Sequence, residues 1–385
     1  MTARPACPRP TADLLAVLAA ESRASEQARQ LSAASVAAMR DLGLFRLLVP
    51  QRAGGLEGSL GDMADCVRSC AGSCSAAGWV LMVSTAHDLV VGSFPEAAQD
   101  EVWARGPDGV LPGSLAPSGT MVPVDGGFRL EGRWGFNSGA AHGDWFLLGT
   151  ADRSGERPRL YHVVVPRADL DLDDNWHTIG LRGTGSVDAL ARDIFVPAHR
   201  ALDSAVLLAG RSEWAGRHAS DLYRTPIIPG LAAHISAAAL GIARPALDAA
   251  LLLLTGQKDR YTGRPKQDRP GIQMRLAEAE AELACAEHML RDSLELLATA
   301  AGGADSRDLR ARAKFQAAYA TELCRRAAER LIAATGARSA FDDSPLQRAF
   351  RDLTMGCKHE MANLDNAALT HGRMLLGLDP GGAPL

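Results

Sequence analysis

The stretch Gly132–Gly149, GRWGFNSGAAHGDWFLLG, decides how the rest of the chain is read. It starts with the alternation of a half-buried strand, brackets a small-residue turn with Trp134 and Trp145, and sets Asn137, Ser138 and His142 where glycines bend the backbone. Aromatic walls beside a few polar groups suit a flat ligand, and a β-hairpin whose aromatics fill a core fits the same residues.

Upstream, residues 11–42 carry Leu14, Leu18, Leu31, Ala38 and Leu42 at near-helical intervals, which predicts one helix or two, ending at Gly43. Small and apolar residues dominate from Ser59 to Val91, as in helices buried on several sides. Trp79 and His87 lie there, eight residues apart and close to one helical face, and His87 reads either as a buried neutral histidine or as a ligand contact. A further helix is predicted over residues 95–104. From Gly106 the composition turns to Gly, Pro, Val and alternation, so a β domain is expected to about Pro197, with a hairpin turning at Asp125-Gly126-Gly127. After Ala198 the pattern is helical: Leu231–Leu254, a seam from Ile272 through Leu297, a helix capped by Ser306 and stopped at Gly336, and a last one over Leu346–Leu376. Such helices suit an antiparallel bundle.

Composition excludes some functions. A chain of 385 residues, 47% hydrophobic and 22% charged, has room for two or three cores, and a net charge of -4 lacks the basic face that nucleic acid or an anionic membrane requires. The N-terminal residues lack the apolar core of a signal peptide, so a cytoplasmic location is expected. Seven cysteines without framework spacing read as reduced thiols, and Cys66, Cys70 and Cys74 as packing residues rather than metal ligands. No G-x-G-x-x-G, Walker loop, H-E-x-x-H or G-x-S-x-G is present, which leaves nucleotide-dependent and hydrolytic chemistry without a motif.

Several of these segments resemble the acyl-CoA dehydrogenase superfamily. GLFRLLVPQRAGG (Gly43–Gly55) is similar to its N-terminal turn, and GLRGTGS (Gly180–Ser186), before a strand ending in Val-Pro, is similar to its G-x-R-G-T-x-S signature. The W-x-F-x-S-G-x-x-H-x-D-W pattern from Trp134 to Trp145 resembles the flavin-dependent monooxygenases on that fold, two-component hydroxylases related to 4-hydroxyphenylacetate 3-hydroxylase. The resemblance covers nearly the whole chain and implies an α+β fold: an N-terminal helical domain (1–105), a central β-barrel (106–205) and a C-terminal four-helix bundle (206–385), associating as tetramers. It implies reduced FMN or FADH2 delivered by a separate NAD(P)H-dependent flavin reductase, O2 held as a C4a-hydroperoxide, and an aromatic or polycyclic substrate.

On that resemblance Ser138 meets the flavin N5 edge, with Trp134, Phe136, Thr184, Gly185 and Ser186 as further cofactor contacts. Arg260, in QKDRYTGRPKQDRP, takes a flavin phosphate on a neighbouring subunit, a task that suits a planar, permanently charged fork. Near the C-terminus His359 falls where the hydroxylases carry a histidine beside the flavin, and an imidazole with a pKa near 6.5 could give and retrieve a proton there. Trp79, His87 and Ser118 are the candidate substrate contacts, although GSLAPSGT (Gly113–Thr120) holds no histidine to deprotonate a phenol. The alternatives are a dehydrogenase with Glu360 as its base, without the Gly-Thr-Asn-Glu turn that should follow, an N-oxygenase of an amino sugar, or a helical scaffold without a cofactor.

Overall fold

The computed structural model describes residues 7–210, 212–381 and 385. Helices α1 (Ala12–Ala28), α2 (Ala33–Asp41), α3 (Leu60–Ser73), α4 (Ser75–Val91) and α5 (Glu96–Val102) come first. The run predicted over residues 11–42 is two helices: Thr11 caps the first, and Ser32, accepting from Ser35 N, starts the second. A reciprocal Ser59/Asp62 capping box opens α3. Helix α4 is buried nearly all round, which its apolar composition anticipates.

Seven strands follow: β1 (Gly113–Val124), β2 (Gly127–Asn137), β3 (Trp145–Asp152), β4 (Arg159–Pro166), β5 (Asp171–Asp173), β6 (Val187–Pro197) and β7 (Ala201–Asp203). They form one sheet in the order β5-β6-β2-β1-β3-β4-β7. Strands β1 and β2 turn through Asp125 and Gly126, of which only Gly126 takes a positive φ. Alternation sorts the two faces. Phe146, Leu148, Val163 and Val165 fill the interior of the β domain with Trp134 and Met121, whereas Leu147 and Val164 join the helical core.

The remaining helices are α6 (Ser204–Leu208), α7 (Ile227–Leu254), α8 (Pro270–Thr299), α9 (Arg307–Thr335), α10 (Pro345–Gly356) and α11 (Leu364–Leu375). Helix α9 starts at the Ser306 cap and stops at Gly336, as the sequence predicts. Helix α7 is long and apolar enough to cross a membrane by composition, yet most of that surface is packed against α3, α4, α9 and α10. One expectation needs correcting: the helix predicted over Leu346–Leu376 is broken. It ends at Gly356, crosses a short 3-10 turn (Glu360–Ala362), and restarts where Asn363 accepts from Asn366 N. Gly356 has room for no side chain, because an added Cβ would lie 2.9 Å from the Trp79 ring. The break carries His359.

Candidate active site

The end of β2 is irregular, and the irregularity sorts its side chains. Pairing with β6 loses register between Trp134 and Asn137, and Phe136 takes φ +67°. The Asn137 amide braces this bulge by donating to Trp134 O (2.6 Å) and Val187 O (3.0 Å). Phe136 is thereby turned outward, 66% exposed, edge-on to Trp176 at 5.9 Å, while Ser138 turns inward. Trp134 is no cofactor wall. It has no accessible surface, donates to Gly149 O (2.5 Å), and fills space that only glycine at 119 leaves open, where a Cβ would meet the indole at 2.1 Å.

Thr184, Gly185 and Ser186 are buried behind Ser138 and do not present free hydroxyls to a ligand. Thr184 Oγ1 lies 2.8 Å from Leu181 O and 2.6 Å from Ser186 Oγ, which lies 2.8 Å from Ser138 Oγ. Gly185 turns at φ +56° against Arg29 and Gln30. This loop positions Ser138.

A second wall comes from α4 and the break after α10. Trp79, buried, faces His359 with ring centroids 6.2 Å apart. His359 Nδ1 accepts from Met361 N (3.2 Å), so in the neutral ring the proton sits on Nε2, which has no protein partner among the described residues. Solvent reaches the ring, yet protein encloses it, and that desolvation lowers its pKa to about 4, with Glu360 opposing. The shift is downward from the ordinary imidazole value, so it favours the neutral ring, which donates through Nε2–H.

His87 has the opposite polarity. Its Nδ1 is 2.8 Å from Leu111 O, and because a carbonyl only accepts, Nδ1 carries the proton and Nε2 a bare lone pair. Burial lowers its pKa to about 4, and His162, His359 and His234 lie near enough to disfavour its charge further. Leu111 itself is held by Ser84, whose Oγ accepts from Leu111 N at 2.9 Å.

The two walls are joined. A Cβ on Gly139, next to Ser138, would lie 2.9 Å from Val80, the neighbour of Trp79, and Leu181 N donates to Asp352 Oδ1 of α10 at 2.6 Å. The segment after Ser138 thus packs on α4 at Val80 and the Leu181 loop on α10, which sets the end of β2 beside the wall where Trp79, His87 and His359 form one group.

Three predicted residues lie outside this group. Ser118 is exposed on the irregular part of β1, where pairing with β3 loses register, and no described contact ties it to the histidines. Arg260 is exposed in the loop beyond α7. Some 20 residues of helix separate His234 from Leu254, about 30 Å at 1.5 Å per residue, so Arg260 follows the end of α7 that is remote from His234. Glu360 is engaged by Asn366 Nδ2 (2.8 Å) at the start of α11. Sequence reasoning missed Asp352, Ser84, His162 and His234. Asp352 closes the stretch SPLQRAFRD (344–352), where a carboxylate among charged residues gave little signal, and a histidine inside the apolar run of α7 offered none.

A profile described as "Acyl-CoA dehydrogenase, C-terminal domain" matches residues 233–364. A pigment production hydroxylase of Rhodococcus sp. is 33% identical over 367 residues, covering 95% of each chain. The oxygenase component of p-hydroxyphenylacetate 3-hydroxylase from Acinetobacter baumannii is 30% identical over 371 residues, covering 95% of this chain and 88% of its own. The chain belongs to this family of flavin-dependent monooxygenases. Among solved structures, XiaF from Streptomyces sp. in complex with FADH2 and glycerol superposes with a TM-score of 0.90 at 28% identity over 97% of each chain.

Membership of this monooxygenase family settles the fold as acyl-CoA dehydrogenase-like and the cofactor as reduced flavin, and it displaces the dehydrogenase reading in which Glu360 was the base. The residues fit such a cofactor. An exposed aromatic at 136, a buried serine hydroxyl at 138 and an N–H donor at 359 match a flat ring bearing polar nitrogens along one edge.

Proposed function

We propose that this monooxygenase hydroxylates an aromatic small molecule bearing a ring hydroxyl, using reduced FMN or FADH2 from a separate NAD(P)H-dependent flavin reductase. Reduced flavin supplies the electrons with which O2 is activated. The chain's part is to hold protons at two stated atoms. His359 Nε2–H donates toward the oxygen-reacting edge, and Ser138 faces the same edge from the sheet side. His87 Nε2, unprotonated because Nδ1 is committed to Leu111 O, accepts from the substrate hydroxyl and raises electron density on the ring to be oxygenated. Trp79 lies against His359 and excludes water with its indole, offering an apolar wall to a flat substrate.

The observation that carries this reading is the opposed tautomers of His359 and His87, one donor and one acceptor, with the buried His87 held neutral by desolvation. It also supplies the acceptor that GSLAPSGT lacks. An amino sugar would gain little from the Trp79 wall. Arg260, unpaired among the described residues, would reach the flavin phosphate of a neighbouring protomer in a tetramer, and a cytoplasmic location belongs to the same reading.

The test uses p-hydroxyphenylacetate and its methyl ether, with reduced FMN supplied enzymatically. The free phenol should be hydroxylated and the ether should not, and His87→Ala should abolish the difference. Equal turnover of phenol and ether by the wild-type protein would remove His87 from the proposed role.

A further inference from the structure

The hydroxyl chain behind Ser138 has a direction that donor counting determines. Thr184 Oγ1 lies 2.8 Å from Leu181 O, and a carbonyl holds no proton, so the Thr184 proton points at Leu181. The 2.6 Å contact between Thr184 and Ser186 then needs the Ser186 proton, and the 2.8 Å contact between Ser186 and Ser138 needs the Ser138 proton. All three groups are buried, Thr184 at 1%, Ser186 at 3% and Ser138 at 4% exposure, so water cannot readily reorder the chain.

We infer that Thr184 and Ser186 are positioning residues that turn the Ser138 proton away from the cofactor, leaving Ser138 an acceptor only and making the site selective for flavin that carries hydrogen at N5. The inference rests on the reading that Ser138 faces N5. Reduced isoalloxazine has an N5–H, which a lone pair on Ser138 Oγ accepts. Oxidised isoalloxazine has a bare N5 lone pair, which would face another lone pair with no proton between them. For an enzyme that receives its flavin already reduced, this polarity retains the useful redox state and releases the spent one.

The experiment is anaerobic equilibrium titration of the full-length protein with oxidised FMN and with dithionite-reduced FMN, read as the ratio of the two Kd values. The wild-type protein should bind reduced FMN the more tightly. Thr184→Val is isosteric and removes the proton sink at Leu181, and Ser186→Ala cuts the chain outright; each should lower the selectivity ratio by about 3- to 10-fold, the worth of one buried hydrogen bond. Thr184→Ser keeps the hydroxyl and should keep the ratio. The midpoint potential of bound FMN should fall in step, by about 30 mV for a tenfold loss in a two-electron couple. A purely structural role would weaken both redox forms together. An unchanged ratio in both Thr184→Val and Ser186→Ala, or parallel weakening of both forms, overturns the inference while leaving the flavin site in place. Absence of binding by either form in the wild-type protein overturns the site as well.

Discussion

Gly356→Ala is a one-methyl test of how the helix break sets the site. The new Cβ would lie 2.9 Å from Trp79 Cζ3, 3.4 Å from Cη2 and 3.5 Å from Leu181 Cδ1. Carbon atoms prefer at least about 3.5 Å, so the indole, only 6% exposed, must retreat by about 0.6 Å. Overpacking of this kind costs about 1–3 kcal/mol. Against it stands the helix-propensity gain of alanine over glycine, at most about 1 kcal/mol and less at the final residue of α10. The net effect on stability is therefore a modest loss of roughly 0–3 kcal/mol. The effect on function should be larger, because Trp79 is the ring facing His359, and misplacement by about 1 Å can cost on the order of 100-fold in rate. Denaturant unfolding, tryptophan emission, and the partition of reduced FMN between hydroxylated p-hydroxyphenylacetate and H2O2 measure the three quantities separately. A variant that is more stable than wild type, with unchanged emission and unchanged partition, would show that Gly356 is not a contact point for Trp79 and would refute the reasoning.

Other perturbations have simpler outcomes. His359→Ala should raise the fraction of O2 released as H2O2, and unchanged coupling would strip His359 of its role. Arg260→Ala should weaken flavin binding, measured by fluorescence titration, without moving the unfolding midpoint, since the side chain is exposed and lacks an ion-pair partner among the described residues. Asp352→Ala leaves Leu181 N–H buried without its acceptor, so about 1–3 kcal/mol of stability should be lost in urea unfolding; a neutral result would mean that the loop is held by other contacts. His87, His162 and His234 all have their pKa lowered to about 4 by burial and regain about 6.5 when the chain unfolds. Between those values the unfolded chain binds more protons, so stability is complete above about pH 6.5 and falls as pH drops toward 4, by up to about 1.4 kcal/mol per pH unit for each group. A urea midpoint that stays constant between pH 7 and 5 would contradict the burial of these three rings.

Much of this was legible from periodicity and punctuation. The cap at Ser306, the stop at Gly336 and the two-residue turn before Gly127 are local signals, and local signals survive folding because the partner lies within a few residues. Trp134 was misread because an aromatic in an alternating strand does not declare which face is the interior; here the glycine at 119, on the adjacent strand, admits the indole. Thr184 and Ser186 were read as ligand donors because a glycine-rich loop advertises donors, and only the coordinates show them engaged with one another. The tautomers of His87 and His359 depend on Leu111, 24 residues away, and on Met361, and a sequence carries no record of the first contact.

The errors that matter share a cause. Reading by period assumes continuity, so the bend expected at Asn137 and Ser138 was left without the bulge at Phe136, and residues 346–376 were read as one helix. The chain departs from both. The bulge at Phe136 and the break after Gly356 are the two places where regular hydrogen bonding is given up, and each is stabilised by dedicated groups: Asn137 on Trp134 O and Val187 O at one, Asp352 on Leu181 N and the Trp79 contact at the other. A continuous strand would have kept strict alternation from Trp134 to Ser138 and put both on one face, leaving no exposed ring at 136 beside an inward hydroxyl at 138. An unbroken helix would have held residue 359 in the bundle's period, its backbone N–H groups satisfied, with no Met361 N–H free to orient the imidazole. The interruptions are therefore what set an exposed ring beside an inward hydroxyl at the one place and orient the His359 imidazole at the other, and local rules fail at both because each depends on partners distant in sequence.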